Sequence, residues 1–313
     1  MSAVAITVTG PIGVEALGVV DCHEHLAAPA RRRALAQACD LDLGEPVRIA
    51  GDLAAFAAAG GGAVVEMTTV DYGRDLAALA WLARETGVGI IAPTGFNTGH
   101  YGRAFAEGRA VAELSAAQVA DVVAGDDGVR CGVVKFGTSL NTIEPCEEAM
   151  ALAAARTHLE TGVPISTHTE AGTMALEQLD LLERAGVDPA AVIVGHLDRN
   201  PDLGLHRRVI RRGAFVAYDQ LPKRKYATAD AAIANVVALA REGRHEQVLL
   251  GGDLSRRSYF RGWGGDLHLD VVPGAFRARL GAALADAALD ADAVLADLYV
   301  HNPARAFALR AVA

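Results

Sequence analysis

Six residues of the types that bind metal ions lie at the ends of short apolar segments. They are widely spaced along the 313-residue chain and comprise His23, His25, Lys135, His168, His196 and Asp253. Imidazole and carboxylate groups are ligands that Zn²⁺ and similar divalent ions prefer. Each segment is rich in β-branched residues, so parallel strands pointing the same way would bring these side chains to one place. The pattern predicts a metal centre of the kind that activates water for hydrolysis.

The evidence for a metal site comes from the recurrence of these residues and not from any one of them. His23 and His25 are two positions apart, so on a strand both side chains point to the same face. For a single histidine, a hydrogen-bonded role at a strand end is the better interpretation. The occurrence of residues of ligand type at five separate strand ends favours a shared metal site.

Lys135, at the end of a central apolar segment, leaves two interpretations open. A buried, uncharged lysine can react with CO₂ to form a carbamate, which would act as a bridging carboxylate between two metals. The alternative is that Lys135 pairs with a carboxylate or reaches solvent.

The elements that would position these residues alternate between strands and helices. Nearly continuous apolar strands separated by amphipathic helices indicate parallel pairing with both sheet faces buried. Eight such units in one chain favour a (β/α)8 TIM barrel, an α/β fold, as a single domain over residues 1–313. The predicted strands cover 17–22, 63–67, 89–93, 131–136, 164–168, 191–195, 214–218 and 247–252, and the clearest helices 74–86, 146–161, 173–185 and 229–242.

Two loops and the tail carry further expectations. The longest irregular segments are predicted at about 94–112 and 254–273, on the face where barrel enzymes hold their active sites. The tail is predicted to form two helices broken at Asn302 and Pro303.

Composition excludes several classes of protein. A net charge of −9 argues against a general nucleic-acid or anionic-membrane binder. The N-terminus has no basic region ahead of an apolar core, and no apolar run is long enough to span a membrane. Four cysteines without paired spacing are typical of reduced thiols, which predicts a cytoplasmic protein.

Several motifs in order resemble the phosphotriesterase family of the amidohydrolase superfamily. The resemblance runs nearly end to end, through VVDCHEHL, VEMTTVDYGRD, VVKFGTS, TGVPISTHTEAG, VIVGHLDRN, GGDLSRRSY and HNPARAF. It implies two divalent ions, zinc being usual and manganese, cobalt or iron alternatives. By the resemblance, His23, His25 and Asp253 hold the more buried ion, His168 and His196 the more exposed one, and Lys135, carboxylated by CO₂, bridges both.

The resemblance also implies a mechanism. A hydroxide bridging the two metals would attack the substrate while the exposed metal polarises the substrate oxygen. Asp253 would be the catalytic proton acceptor and could return the proton to the leaving group.

One departure from the family pattern bears on the substrate. Arg199 stands where organophosphate-hydrolysing relatives carry an aspartate of a proton shuttle, so that shuttle is in doubt. Asp198 beside it is predicted to lie behind the ligands, orienting one of them or a water, or else to cap a loop.

A basic cluster follows the last two strands and suggests an anionic substrate. It comprises Lys223, Arg224, Lys225, Arg256 and Arg257, with Tyr259 close in sequence. Adjacent barrel loops would bring these cations near the metals, although solvated loop charges or ion pairs with Asp219 and Asp266 are the alternative.

The same loops resemble the sugar-lactonase branch of the family. In that resemblance Lys225, Arg256 and Tyr259 grip a phosphate or polar tail. Lys223 of the basic cluster and Tyr101 on the loop after the third strand are further candidate substrate contacts, although an exposed turn is the alternative for Tyr101. The predicted activity is hydrolysis of a lactone that carries a phosphate or other anionic group, a small-molecule substrate. The alternatives are another ester, amide or phosphoester bond, or a binding protein that keeps the fold without turnover. The resemblance also makes a homodimer a possible assembly.

Overall fold

The computed structural model describes residues 3–32, 39–223, 225–226 and 228–312. Arg224 of the predicted basic cluster lies outside these residues.

The strands form a closed parallel barrel. β1 and β2 make an antiparallel hairpin at the start of the chain, and the parallel strands follow in the orders β3-β4-β5 and β6-β7-β8-β9-β10-β11. Only Ala92 separates β5 from β6, and the Asp253 amide donates to the His23 carbonyl at 2.7 Å beyond the end of β11. The strands are β1 Val4–Thr7, β2 Gly10–Gly13, β3 Val19–Glu24, β4 Gly61–Glu66, β5 Gly89–Ile91, β6 Pro93–Gly95, β7 Val133–Thr138, β8 Ile165–Thr169, β9 Val192–Val194, β10 Phe215–Tyr218 and β11 Val248–Leu250.

The predicted eight-stranded barrel is therefore confirmed, with the third strand split in two. Alternate strand residues point to opposite sides, as in β4, where Ala63 and Val65 belong to a core cluster distinct from that of Val64. The smaller cluster fills the barrel interior with residues from most strands, and the larger one joins strands to helices. Burial on both faces explains why these segments are apolar throughout.

Helices cover the outside of the barrel. The four clearest sequence predictions correspond to α2, α5, α6 and α8 within two residues at each end. The helices are α1 Pro46–Ala58, α2 Leu76–Thr86, α3 Gly99–Ala106, α4 Val111–Val123, α5 Pro145–Thr161, α6 Ala175–Arg184, α7 Leu203–Arg211, α8 Ala229–Arg241, α9 Arg277–Asp286, α10 Ala291–Ala296 and α11 Asn302–Ala306.

The prediction of an irregular segment over 94–112 was wrong, because α3 lies inside it. The glycines of this helix allow it to pack closely against α5. The Gly99 amide donates to the buried Glu147 carboxylate at 2.7 Å, and a Cβ on Gly102 would meet the Met150 sulfur at 2.6 Å. The segment 254–273 is irregular as predicted, with short 3₁₀ turns and, from Val272, the start of a π-helical turn.

The predicted break at Asn302 and Pro303 was also wrong. α10 continues into α11 through a π-helical turn, Asp297–His301, and Pro303 occupies the first turn of α11. Proline lacks the N–H of a regular helical bond, and here it lies just after the π-helical turn, where the regular bonding pattern already changes. The buried Asn302 amide instead bonds the carbonyls of His245 and Val248, both at 2.8 Å.

Within the described part of the chain, no helix has both the length and the apolar character needed to cross a membrane.

Candidate metal centre and active site

The carboxyl ends of the barrel strands bring the six predicted ligand residues together. His23 lies in β3, Lys135 in β7 and His168 in β8, while His25, His196 and Asp253 follow β3, β9 and β11. The His196 ring lies 4.8 Å from that of His23 and 4.5 Å from that of His168, centroid to centroid. All but His23 line a cavity of about 200 Å³ that opens on this face.

The deeper part of the cluster has its donor atoms turned inward. Asp253 Oδ1 lies 3.1 Å from His25 Nε2 and 3.7 Å from His23 Nε2. His25 Nδ1 bonds the Thr68 hydroxyl at 2.8 Å, which leaves Nε2 facing the cluster. His23 Nε2 is buried without a hydrogen-bond partner among the described residues, an arrangement that a metal ion would satisfy.

Asp219 orients two of these imidazoles. Its buried carboxylate lies 3.0 Å from His23 Nδ1 and 2.7 Å from His196 Nδ1. Burial would raise the pKa of Asp219, but His196 and His23 hold it far below its usual range. A carboxylate on Nδ1 directs Nε2 away from itself and towards a metal, so Asp219 has the position of a supporting residue for the candidate centre. Sequence reasoning missed this role, although Asp219 directly follows β10 just as the predicted ligands follow their strands.

Lys135 is buried, with 1% of its surface exposed. Its Nζ donates to the Met67 carbonyl at 3.1 Å, and no carboxylate of the described residues lies at ion-pair distance from it. Burial lowers the pKa of Lys135, against the opposing effect of nearby carboxylates such as Asp253. Lys135 therefore neither pairs with a carboxylate of the described residues nor reaches solvent. The lowered pKa favours the neutral amine, which is the form that reacts with CO₂.

The protonation states suit metal binding. Burial lowers the pKa of His23 to about 3 and that of His168 to about 4, with Lys135 and His196 respectively adding to the effect. A neutral imidazole is the form that coordinates a metal ion. The donor types, their inward orientation and the unpartnered His23 nitrogen therefore fit divalent ions.

Two of the proposed ligands have left-handed backbone conformations. The φ angle is 60° at His196 and 48° at Asp253, values that non-glycine residues adopt rarely. Such backbone strain concentrates at functional sites, where the surrounding structure holds it in place. Hydrogen bonds from the His196 amide to Asp219 and from the Asp253 amide to His23 fix these turns.

The second oxygen of Asp253 has two further partners. Its Oδ2 accepts hydrogen bonds from Gln220 Nε2 at 2.6 Å and from Lys223 Nζ at 2.5 Å. Burial would raise the pKa of Asp253, but Lys223 and the nearby imidazoles hold it well below its usual range. The carboxylate is therefore ionised and oriented by contacts on both of its oxygens.

Asp198 lies behind this arrangement. It is 5% exposed, and its Oδ2 accepts a hydrogen bond from the backbone N–H of Gln220 at 2.7 Å. Burial raises the pKa of Asp198 well above its usual range. Asp198 therefore fixes the backbone of Gln220, the residue whose side chain reaches Asp253, and its two predicted roles, orienting a ligand or water and capping a loop, stay predictions.

Most of the predicted substrate residues surround the cavity above the proposed ligands. Lys223, Lys225, Arg256 and Tyr101 line it, while Tyr259 lies behind Lys223, with its ring centre 5.7 Å from Nζ. Sequence reasoning did not single out several other polar lining residues, namely Tyr72, Asn97, Thr98, Glu170, Tyr226 and Ser255.

The expectation that Arg257 would converge on the metals was wrong. Its guanidinium bonds Asp42 Oδ2 at 3.0 Å and Glu45 Oε1 at 3.3 Å, outside the cavity. Arg256 and Arg257 stand at the start of a 3₁₀ turn, where neighbouring side chains point in different directions. The proposed partner Asp219 is likewise engaged by histidines and not by the basic loops.

Comparison with known proteins identifies the family. The model of the phosphotriesterase family matches residues 4–307. The chain belongs to the phosphotriesterase family. The sequence resemblance and the prediction of a hydrolytic enzyme are thereby confirmed.

Three relatives show how similar this chain is to known members of the phosphotriesterase family. The crystal structure of a lactonase from Listeria monocytogenes is 33% identical, covers 99% of this chain and 100% of its own, and superposes with a TM-score of 0.94. A phosphotriesterase homology protein from Escherichia coli, solved with phosphate in its active site, is 32% identical and superposes with a TM-score of 0.87. The match covers 93% of this chain and 99% of the Escherichia coli chain. A phospho-furanose lactonase from Mycoplasmopsis synoviae is 29% identical over 83% of this chain and 79% of its own.

Proposed function

We propose that this hydrolase opens a lactone ring, that of a sugar lactone bearing a phosphate or another anionic group, within one barrel domain spanning residues 1–313. The observation that carries the proposal is a single cavity whose floor holds metal-binding donors and whose walls hold cations. The proposed ligands are His23, His25 and Asp253 for one ion and His168 and His196 for the other, with carboxylated Lys135 between them. Zinc is the expected metal, with manganese, cobalt or iron as alternatives.

The residues of the floor prepare the reaction. When bound, two divalent ions supply an activated water at neutral pH and a Lewis acid for the substrate oxygen. Asp253 accepts the proton released as the water attacks the carbonyl, because its ionised carboxylate lies at the cavity floor. Gln220 and Lys223 hold this carboxylate in place, and it returns the proton to the leaving oxygen of the opened ring.

The cations of the wall select the substrate. Arg256 presents a planar fork to an anion and Lys225 a point charge, and both line the cavity of a protein whose net charge is −9. Asp40 accepts two hydrogen bonds from Ser258 at 2.9 Å and lies 3.5 Å from Arg256 Nη1, so it orients this arginine. The phosphate bound by the Escherichia coli relative and the name of the Mycoplasmopsis synoviae relative support a phosphorylated substrate.

A substrate panel tests this function. Lactones with and without a terminal phosphate, together with matched esters, amides and phosphoesters, would be supplied to the zinc- or manganese-loaded protein. We expect the phosphorylated lactones to give the highest kcat/KM. Equal values for phosphorylated and neutral lactones would remove the anion-binding role, and a preference for amides or phosphoesters would contradict lactone hydrolysis.

Arg256→Ala is expected to raise KM for a phosphorylated lactone about 10-fold while leaving KM for a neutral lactone nearly unchanged. A hydrogen bond to a charged group contributes about 1.5–3 kcal/mol, and partial solvent exposure places this one at the lower end. Steady-state kinetics on both substrates measures the effect.

Arg257→Ala provides the matched control, because this neighbouring arginine is paired outside the cavity. We expect it to leave both KM values unchanged. Equal effects of Arg256→Ala on charged and neutral lactones would contradict the assignment.

A further inference from the structure

A partly exposed ion pair lies beside one of the proposed ligands. Glu170 follows β8 in a short 3₁₀ turn, and its Oε2 lies 3.1 Å from His168 Nε2. Its other carboxylate oxygen lies 2.5 Å from Arg199 Nη2. Both residues line the cavity. The carboxylate therefore joins an imidazole of the centre to a guanidinium from the next loop.

Arg199 is held from several sides. It ends the turn Leu197–Arg199 after β9, its side chain is 12% exposed, and its guanidinium lies 4.4 Å from the centre of the Tyr226 ring. The two turns also meet directly, because a Cβ on Gly172 would lie 2.5 Å from the Asn200 side chain. Arg199 thus has a fixed place against three loops and can hold Glu170 in position.

The supporting contact of His168 differs from those of the other histidines. His23 and His196 use Nδ1 to contact the buried Asp219, and His25 uses Nδ1 to contact Thr68, so these three present Nε2. His168 uses Nε2 to contact Glu170, so its Nδ1 is the nitrogen left for a metal. The other supports are buried, whereas the Glu170 side chain is 39% exposed at the cavity wall.

We propose that Glu170 and Arg199 form a positioning pair for His168, and that the metal position held by His168 depends on this pair while the position of His23, His25 and Asp253 does not. This inference rests on the metal assignment of the proposed function. In place of the aspartate shuttle of organophosphate-hydrolysing relatives, this chain uses the Arg199 position to fix a ligand. Partners of this kind contribute about 10- to 100-fold to metal affinity.

Competitive zinc titration against a chromophoric chelator separates the two positions without measuring activity. Wild type is expected to bind two ions per chain. Glu170→Ala and Arg199→Met are expected to retain one ion at wild-type affinity and to bind the other about 10- to 100-fold more weakly. Glu170→Gln keeps an acceptor for His168 but loses the charge for Arg199, so an intermediate loss is expected. The thermal unfolding transition of each variant checks that it is folded.

Glu183→Ala is the matched control. Glu183 is 40% exposed and pairs with Arg212 at 2.7 Å, and neither residue lines the cavity. We expect it to bind both ions as wild type does. Folded Glu170 and Arg199 variants that bind both ions with unchanged affinity, or that lose both equally, would overturn the inference alone. A wild-type protein that binds no zinc would overturn the proposed function as well.

Discussion

Asp253→Asn is expected to lower kcat/KM for the lactone by about 10³-fold, which corresponds to roughly 4 kcal/mol of transition-state stabilisation. Asparagine retains one oxygen towards His25 but cannot accept a proton at neutral pH. Its amide nitrogen would also face the donors of Gln220 and Lys223, which now bond the carboxylate at 2.6 and 2.5 Å. Steady-state kinetics with the metal content of each sample measured alongside gives the result.

Asp266→Asn makes the same chemical change on the same loop at an exposed residue outside the cavity. We expect it to leave kcat/KM within about twofold of wild type, as for a surface substitution remote from the site. A loss of less than tenfold for Asp253→Asn, with both metals retained, would show that another group accepts the proton.

Lys135→Met is expected to reduce the metal content below two ions per chain and kcat/KM by more than about 100-fold, the upper range for loss of a supporting partner. Methionine fills the buried site without strain from an unpaired charge, so the fold should survive. We expect this loss because methionine cannot form the proposed bridging carboxylate. Metal analysis and kinetics on the purified variant measure both quantities.

The carbamate itself has a separate signature. Wild-type protein stripped of metal should regain activity with zinc faster when bicarbonate is present, and ¹³C-labelled bicarbonate should give a carbamate signal in the NMR spectrum. Lys135→Met should show neither. Full reactivation of wild type in rigorously CO₂-free buffer would contradict a carboxylated Lys135.

Much of this site was predictable because strand ends in a barrel converge. The apolar runs determine the strands, and the direction of parallel strands then determines that His23, His168 and His196 meet. Asp219 carries the same positional signal, yet a single aspartate after a strand is too common to distinguish from a loop-capping residue. Its role appears only once its distances to two imidazoles are known.

Contacts between loops were not predictable in the same way. Whether Arg256 or Arg257 faces the cavity depends on the local turn and on the acidic residues around Asp42 that capture one of them. The pairing of Glu170 with Arg199 requires two turns to meet after different strands. Likewise, α3 is stabilised by its contacts with Glu147 and Met150 on α5 and carries little helical signal of its own. These features depend on tertiary packing, which local sequence patterns do not encode.

The most direct measurement is anomalous diffraction from crystals of the zinc-loaded protein at wavelengths on both sides of the zinc absorption edge. We expect two zinc peaks at the carboxyl ends of the strands, one contacting His23, His25 and Asp253 and the other contacting His168 and His196. Additional density on Lys135 Nζ should join them. A single peak elsewhere, or none, with Lys135 an unmodified amine, would rule out the proposed binuclear centre.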